Sequence, residues 1–336
     1  MPLRYIRCLT WRRILNVLRC RLSYLFGRSY RHYPTFVALE PADWCMLRCP
    51  QCPVGCADMP ARNMKEKHVM TPELYRRIID EIAPYTHTVI FHFQGEPLLS
   101  PYLADMVSYA HERRMFTMFS TNAQLLTTEV ARALAEAGLD RIIISIDGLT
   151  QATYEHYRRG GSLQRALISM RALADLPKNI RPEIVLQCLR LRSNEQEWKM
   201  FEEQYNMLGA DRLEMKTAQF YDFSHGNDDM PTDSRFCRYE KRSDGLWYIK
   251  NPLHNRCYRL WSGCVITAEG EVRPCCYDKS GKYALGSLYS ISRENRKVKT
   301  TMSSLGEVLH SKVAEDFRTR VFSSRKDIDI CCNCDE

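Results

Sequence analysis

The sequence lacks the features of a membrane-spanning protein and those of a secreted disulfide scaffold. It has no run of about 18 apolar residues, which excludes a membrane-spanning helix. Charges interrupt every apolar stretch near the start, unlike a secretory signal, and 336 residues exceed the usual size of a disulfide scaffold. The 15 cysteines are odd in number, which argues against complete pairing. We therefore expect reduced, metal-binding thiols in a cytoplasmic protein.

Acidic residues are missing from the first 39 positions, since the first one is Glu40. Eight arginines precede it: Arg4, Arg7, Arg12, Arg13, Arg19, Arg21, Arg28 and Arg31. They equal the whole net charge of +8, so the remainder of the chain is balanced. A nucleic-acid-binding protein would also carry a basic patch on its body, so no nucleic-acid partner is expected.

The basic segment, residues 1–34, has the apolar periodicity of an amphipathic helix. Apolar residues recur at helical spacing at Trp11, Ile14, Leu15, Leu18, Leu22, Leu25 and Phe26. Thr10 fits an N-cap, and Gly27 fits the end of the helix. Three interpretations remain: a helix packed on the fold with its arginines in solvent, an arginine-rich presequence, and a helix on the inner membrane surface. The last predicts peripheral membrane contact and a lipid-linked substrate.

Residues 35–220 alternate apolar runs with helical patterns. The predicted strands are 35–41, 87–93, 115–122, 141–148, 183–191 and 212–217. The predicted helices are 71–83, 101–114, 127–138, 162–176 and 194–209. Strands as continuously apolar as "RIIIS" are typical of a parallel sheet covered on both faces. Six units are fewer than the eight of a closed barrel, so we predict an open, partial (β/α)6 TIM-like barrel. A linker (221–256) and a cysteine-rich cap (257–336) follow.

Three cysteines, Cys45, Cys49 and Cys52, follow the first predicted strand at C-x3-C-x2-C spacing. Zinc and ordinary iron–sulfur clusters take four ligands, so this trio is one ligand short. Chemistry in such barrels sits at the C-terminal ends of the strands. Polar residues fall there after the later strands: Gln94, Gly95, Glu96 and Pro97; Ser120 and Asn122; Ser145 and Asp147; Gln187; and Lys216.

The segments "CMLRCPQC", "FQGEPLL", "FSTNAQLL" and "ISIDG", in this order, resemble the radical S-adenosylmethionine (SAM) superfamily over about residues 35 to 220. The C-terminal stretch resembles the SPASM/Twitch extensions of that family. The resemblance implies that the three cysteines hold a [4Fe–4S] cluster whose fourth iron binds SAM. It further implies reductive cleavage of SAM to a 5′-deoxyadenosyl radical that abstracts hydrogen, with a reductant such as flavodoxin or ferredoxin.

The resemblance also implies which residues bind the cofactor. Gly95 would let the backbone approach the ligand, and Glu96 with nearby carbonyls would meet the methionine amine, although Gln94 replaces a glycine of many relatives. Arg158 would pair with the methionine carboxylate, with adjacent Arg159 as the alternative. The complete cofactor-binding set is Gln94, Gly95, Glu96, Pro97, Ser120, Asn122, Ser145, Asp147 and Arg158.

A second set of cysteines predicts one auxiliary site in the cap. Its ligands are Cys257, Cys275, Cys331 and Cys334, with Cys264, Cys276 and Cys332 as alternatives. Four thiolates suit a [4Fe–4S] cluster or a structural zinc. The resemblance favours the cluster, and the absence of a further C-x2-C pair after Cys334 predicts a single auxiliary cluster.

A fully protein-ligated auxiliary cluster favours electron transfer from a substrate radical, hence two-electron oxidation of a small molecule, carbohydrate or peptide. Some relatives carry a basic carboxylate directly after the G-x4-C cysteine, where this chain has Cys276. Asp278 and Lys216 are therefore the candidate bases. The alternatives are a peptide-modifying maturase, a zinc-stabilised binding protein, and an epimerase whose hydrogen donor is a cysteine, Cys56, Cys188 or Cys237, each of which also suits a structural role.

Overall fold

The computed structural model describes residues 3–27, 32–56, 66–294 and 297–334. Its α-helices are α1 (Leu3–Arg7), α2 (Trp11–Phe26), α3 (Pro72–Ile82), α4 (Leu103–Glu112), α5 (Thr128–Glu136), α6 (Gln151–Tyr157), α7 (Leu163–Ala174), α8 (Trp198–Gln204), α9 (Arg259–Ser262), α10 (Leu305–Leu309), α11 (Lys312–Ser324) and α12 (Asp329–Cys332). Its strands are β1 (Phe36–Leu39), β2 (Thr88–Ile90), β3 (Phe116–Thr121), β4 (Arg141–Ser145), β5 (Glu183–Arg190), β6 (Arg212–Thr217), β7 (Tyr239–Lys241), β8 (Trp247–Ile249), β9 (Gly263–Ile266), β10 (Glu271–Arg273), β11 (Gly286–Ser287), β12 (Tyr289–Glu294) and β13 (Lys297–Met302).

Six parallel strands, β1 to β6, pair in chain order and form the predicted partial barrel. Each lies within one of the six apolar runs identified in the sequence. Strands β1, β3 and β4 are mostly buried on both faces, because helices cover the outer side of the barrel, whereas the edge strand β6 has no buried residue. Thr71, Thr127 and Ser162 cap three of these helices by accepting a hydrogen bond from a first-turn backbone N–H. The predicted fold class is confirmed.

The C-terminal region extends the barrel sheet through β9, β10 and β11, and its strands β12 and β13 form a separate antiparallel pair. Strand β9 pairs in parallel with β1, with Gly263 opposite Phe36, and β10 and β11 continue the sheet in antiparallel fashion. A Cβ on Gly263 would lie 2.1 Å from the Phe36 ring, so only glycine fits this start of β9. The segment predicted as a linker, 221–256, carries the antiparallel pair β7 and β8.

The N-terminal helix α2 has the limits that the sequence predicts. Thr10 accepts a hydrogen bond from the Arg13 backbone N–H, and Gly27 adopts the left-handed conformation at φ 61°. The helix lies at the end of the barrel where the strands begin, and Asn16 donates there to the carbonyls of Tyr33 and Tyr85. Within the described ranges, every helix is too short or too polar to cross a bilayer.

Candidate functional site

The cysteine loop that follows β1 is held against the loop that follows β2. The Glu96 backbone N–H donates to the Trp44 carbonyl at 2.8 Å. A Cβ on Gly95 would lie 2.1 Å from the Ala42 carbonyl oxygen and 2.8 Å from the Trp44 nitrogen. The sequence predicted that Gly95 gives the backbone access to a ligand. The structure shows that this glycine brings the two loops together.

The three cysteines of that loop line one cavity of about 280 Å³ at the C-terminal ends of the strands. Most of the predicted cofactor-binding residues line the same cavity, namely Gln94, Gly95, Glu96, Ser120, Asn122, Ser145 and Arg158. Gln187, predicted at the end of the fifth strand, lines it as well. Pro97 and Asp147 lie behind this lining: Pro97 begins a short 3₁₀ helix, Pro97–Leu99, that Glu96 caps. The structure therefore brings together residues from the ends of five strands, β1 to β5.

Without a bound metal, burial favours the protonated thiol form of two cysteines of the trio. Burial raises the pKa of Cys45 to about 12 and also raises the pKa of Cys49, where the charge of Arg158 opposes the shift. The Asn122 side-chain amide donates to the Cys45 sulfur at 3.4 Å. A metal that binds here displaces the thiol protons, and hydrogen bonds to cluster-ligating sulfur tune the reduction potential.

Hydrogen-bond acceptors in the cavity leave room for a cationic ligand group. The Gln94 side-chain nitrogen donates to the Lys279 carbonyl at 2.8 Å, whereas its buried Oε1 has no protein partner. The Glu96 carboxylate accepts from Thr121 Oγ1 at 2.6 Å and from the Asn122 backbone N–H at 2.9 Å. An orphaned buried oxygen costs about 1–3 kcal/mol, which a donor on a bound ligand offsets.

One fixed positive charge, that of Arg158, faces the cavity. Its Nε donates to Asp147 Oδ2 at 2.5 Å, and Asp147 Oδ1 accepts from the Leu189 backbone N–H at 2.6 Å. Burial alone would lower the pKa of Arg158, but the Asp147 carboxylate together with Cys49, Tyr157 and Tyr154 raises that pKa well above its usual value. Arg159 instead lines a different surface cavity with Pro50. Asp147 therefore orients Arg158 and does not itself reach the cavity.

The second cysteine set lies between the cap segments. Cys275 is within electrostatic range of Cys257 and Cys331, and Arg325 is within range of Cys257, Cys331 and Cys334. Arg325 Nη2 also donates to the Cys334 sulfur at 3.5 Å. Cys257, Cys331 and Cys334 therefore lie around one buried guanidinium, and Cys275 lies near two of these three cysteines.

The alternative cysteines point elsewhere. Cys332 is exposed and donates to the Lys326 carbonyl at 3.0 Å, and Cys264 is buried within strand β9. Cys276 lies within electrostatic range of Tyr221, which is also within range of Cys52; burial and then these two thiols raise the pKa of Tyr221. Cys276 therefore lies on the side of the cap that faces the first cysteine loop.

Comparison with family models decides the assignment. The model of the Radical SAM superfamily matches residues 39–189, and the SPASM iron–sulfur cluster-binding domain matches residues 257–335. The chain belongs to the radical SAM superfamily and carries a SPASM domain. Membership implies SAM, a [4Fe–4S] cluster and auxiliary iron–sulfur in the cap.

Curated relatives of this radical SAM protein match only part of its length. It is 28% identical to an AdoMet-dependent heme synthase of Methanosarcina barkeri over 45% of this chain and 43% of that protein. It is 25% identical to a PqqA peptide cyclase of Bradyrhizobium diazoefficiens over 58% of this chain and 49% of the cyclase. The chain thus spans less than half the length of each of these relatives.

Solved structures share the fold over nearly the whole radical SAM–SPASM chain. BtrN in complex with AdoMet and 2-DOIA aligns with a TM-score of 0.55 at 18% identity, covering 91% of this chain and 95% of BtrN. Streptococcus suis SuiB bound to precursor peptide SuiA aligns with a TM-score of 0.62 at 12% identity, covering 96% of this chain and 75% of SuiB. At such low sequence identity, these structural alignments show a common fold alone.

Among the cavity-lining residues that the sequence analysis did not predict is a histidine, His92. Its Nδ1 accepts a hydrogen bond from the Ser120 backbone N–H at 3.0 Å, which leaves Nε2 as the protonated nitrogen. Burial, with the charges of Lys279 and Lys216 adding to it, lowers the pKa of His92 to about 4. The imidazole is therefore a neutral donor at the cavity wall. The available signal was a histidine within the apolar run "VIFHF".

Neither predicted base lines the radical SAM cavity. The Asp278 carboxylate is buried in a turn of the cap, where it accepts from the Tyr283 backbone N–H at 3.1 Å. Lys216 is half exposed, and its Nζ lies 3.3 Å from Glu214 Oε2. Lys279, on the same cap turn as Asp278, contacts the cavity lining, since its Nζ lies 4.4 Å from the centre of the Phe93 ring.

Proposed function

We propose that this protein cleaves SAM reductively and removes hydrogen from an organic substrate, with net two-electron oxidation. When bound, the first cluster with SAM would supply a 5′-deoxyadenosyl radical, and the auxiliary cluster would accept the electron that the substrate loses. One observation carries the proposal: the three thiols share a cavity with a fixed guanidinium and an orphaned acceptor. That arrangement suits the amino-acid moiety of SAM.

The cavity residues divide into a cation-binding and an anion-binding side. Gln94 Oε1 and the Glu96 carboxylate would accept from the SAM ammonium group, and Arg158 would pair with its carboxylate. The Ser120 and Ser145 hydroxyls, 3.4 Å apart, would bind the ribose. His92 Nε2–H adds a neutral donor, and a neutral donor binds polar groups without adding a charge beside the thiolates.

The spacing of the thiols favours clusters over zinc. Among the residues that the structure describes, the one group of three His, Cys, Asp or Glu ligand atoms within 4.8 Å of one another is Asp43, His68 and Glu269. No three cysteine sulfurs of that described part come so close. A tetrahedral zinc site, with Zn–S bonds of about 2.3 Å, holds its sulfurs about 3.8 Å apart. A four-iron cluster spaces its ligands more widely, because the iron atoms lie between them.

The comparisons support two substrate classes. A relative named as a peptide cyclase and a neighbour bound to a precursor peptide support a peptide substrate, and BtrN with 2-DOIA supports a small molecule or carbohydrate. The proposed chemistry also requires a low-potential electron donor such as flavodoxin or ferredoxin. Lys279 is the proposed proton acceptor, in preference to Asp278 and Lys216, because its Nζ lies 4.4 Å from the centre of the Phe93 ring, which lines the cavity.

Anaerobic reconstitution tests the proposal. We expect about eight iron atoms per chain, a brown protein, and reductant-dependent formation of 5′-deoxyadenosine from SAM. A Cys45/Cys49/Cys52→Ala triple variant should keep about four iron atoms and lose 5′-deoxyadenosine formation entirely. Cys56→Ala is the matched control, since Cys56 lies in the same segment but not in the cavity lining. A colourless, zinc-containing protein without 5′-deoxyadenosine formation would contradict the proposal and leave the zinc-stabilised binding protein.

The adjacent pair Cys275 and Cys276 gives a second prediction, with its own control. We expect Cys275→Ala to lose about four iron atoms and Cys276→Ala to lose none, because Cys275 faces Cys257 and Cys331 whereas Cys276 faces Tyr221. Iron and sulfide analysis measures both variants. Equal losses in the two would show that our assignment of Cys275 is wrong.

A free Cys276 also supports the epimerase alternative. Cys188 donates within its own strand and Cys237 is packed among apolar side chains, so neither is placed to return hydrogen to a substrate. Cys276 lies on the side that faces the first cysteine loop. An epimerase would incorporate solvent deuterium into its product through this thiol and would lose turnover in Cys276→Ala, whereas an oxidase would retain turnover.

A further inference from the structure

Helix α2 packs with its polar face inward and its apolar face in solvent. The buried residues are Arg13, Asn16, Cys20 and Ser23. The large apolar residues of α1, α2 and the turn between them are exposed, from 41% for Leu15 to 67% for Trp11. They are Ile6, Leu9, Trp11, Ile14, Leu15, Leu18, Leu22, Leu25 and Phe26, half of the eighteen exposed large apolar side chains in the described chain. We call these nine the apolar stripe.

The orientation of the stripe is fixed by hydrogen bonds on the opposite face. Arg13 donates to the carbonyls of Cys8, Ala83, Arg113 and Arg114 at 2.5 to 3.0 Å. Ala83 and Arg113 follow the last residues of α3 and α4, where the helix dipoles favour a cation. If α2 rotated to bury the stripe, the Arg13 guanidinium would lose these carbonyl acceptors, and the carbonyls would lose their donor. Exposure of the stripe is therefore built into the fold.

The positive charge of α2 favours an anionic partner for the stripe. Arg12, Arg19 and Arg21 are exposed on the same helix, and the sequence has no acidic residue before Glu40. A two-fold contact with a second copy would set these like charges against each other. An anionic lipid surface instead neutralises them while the apolar side chains enter the acyl boundary. A continuous exposed apolar patch of this kind marks an interaction site.

We propose that α1 and α2 dock this protein on an anionic bilayer, with the apolar stripe in the lipid interface. The helix packs at the end of the barrel where the strands begin, and the cysteine cavity lies at the ends where they finish. The cavity mouth therefore faces away from the bilayer. Docking in this orientation presents the site to water-soluble substrates, which argues against the lipid-linked substrate considered from sequence.

Vesicle co-sedimentation of the reconstituted full-length chain tests the proposal. We expect binding to phosphatidylglycerol–phosphatidylcholine vesicles at low salt and little binding to pure phosphatidylcholine. Leu18→Glu with Leu22→Glu should weaken binding about a hundredfold, because two buried leucine side chains are lost from the interface. Ile168→Glu is the control, since Ile168 is equally exposed but lies on α7. The iron content and melting temperature of both variants should match those of the wild type, because the replaced side chains are exposed to solvent.

A second variant keeps the stripe and removes its charge. Arg12→Gln, Arg19→Gln and Arg21→Gln together should lower binding about a hundredfold and flatten its salt dependence. A wild-type chain that ignores anionic vesicles at low salt would overturn the proposal. So would a dimer in solution that Leu18→Glu with Leu22→Glu dissociates, since the stripe would then face a second copy. Vesicle binding does not depend on SAM cleavage, so failure here leaves the proposed function intact.

Discussion

Replacing Asp147 with alanine is expected to lower the free energy of unfolding by about 3–5 kcal/mol, because it leaves the Arg158 guanidinium buried without its partner. Asp147 is fully buried and also accepts from the Leu189 backbone N–H, so two donors lose their acceptor at once. Denaturant unfolding of the protein without iron measures the loss. The same variant should bind SAM more weakly, since Arg158 would no longer be held at the cavity.

Asp316→Ala is the matched control for this prediction. Asp316 pairs with Lys312 at 2.6 Å on the surface of α11, with more than half of each side chain exposed. Exposed pairs contribute about 0–1 kcal/mol, so the control should unfold like the wild type. Asp147→Asn should be intermediate, because the amide oxygen still accepts while the charge is lost. Equal stability of Asp147→Ala and wild type would show that Arg158 finds another partner and that Asp147 does not position it.

The parts of the site that sequence predicted are those encoded by short-range spacing. The trio Cys45, Cys49 and Cys52 and the strand-end residues fall into place because each strand ends where its apolar run ends. Arg158 and Arg159 are adjacent in sequence, and only the Asp147 carboxylate, reached by folding, selects Arg158 for the cavity. Cys275 and Cys276 are likewise adjacent in sequence, and their different neighbours in the fold distinguish them.

The orientation of α2 shows what apolar periodicity leaves open. The spacing of Trp11, Ile14 and Leu18 predicts an apolar stripe and its helix limits, both of which the structure shows. Burial of an apolar face is the usual outcome, yet here the carbonyls at the ends of α3 and α4 bind Arg13 on the other face. Those carbonyls lie about 70 to 100 residues away along the chain, so no local pattern reveals them.

His92 was missed for a related reason. Within "VIFHF" it has the sequence context of a buried strand residue, and its side chain is in fact partly buried. Its role at the cavity wall depends on the Ser120 backbone N–H of the neighbouring strand, which fixes the tautomer. A polar residue inside an otherwise apolar strand end is the one signal that sequence alone offered.

Gly95→Ala is expected to remove iron from the first site while leaving the auxiliary site loaded. The added Cβ would lie 2.1 Å from the Ala42 carbonyl oxygen, and a backbone atom cannot rotate away as a side chain can. The loops after β1 and β2 must separate, which breaks the hydrogen bond from Glu96 to Trp44 and displaces the adjacent Cys45. We expect a cost at or above the upper end of the about 1–3 kcal/mol typical of overpacking.

Iron analysis and thermal unfolding of Gly95→Ala distinguish this loss of loop contact from a general loss of stability. The control is Gly245→Ala, between β7 and β8, where φ is 84° and no atom lies within 4 Å of the added Cβ. It should cost about 1–2 kcal/mol through backbone strain alone and keep all of its iron. Gly95→Ala should fall from about eight to about four iron atoms and form no 5′-deoxyadenosine. Full iron content in Gly95→Ala would mean that the cysteine loop tolerates separation from the β2 loop, and that the trio positions its cluster without this contact.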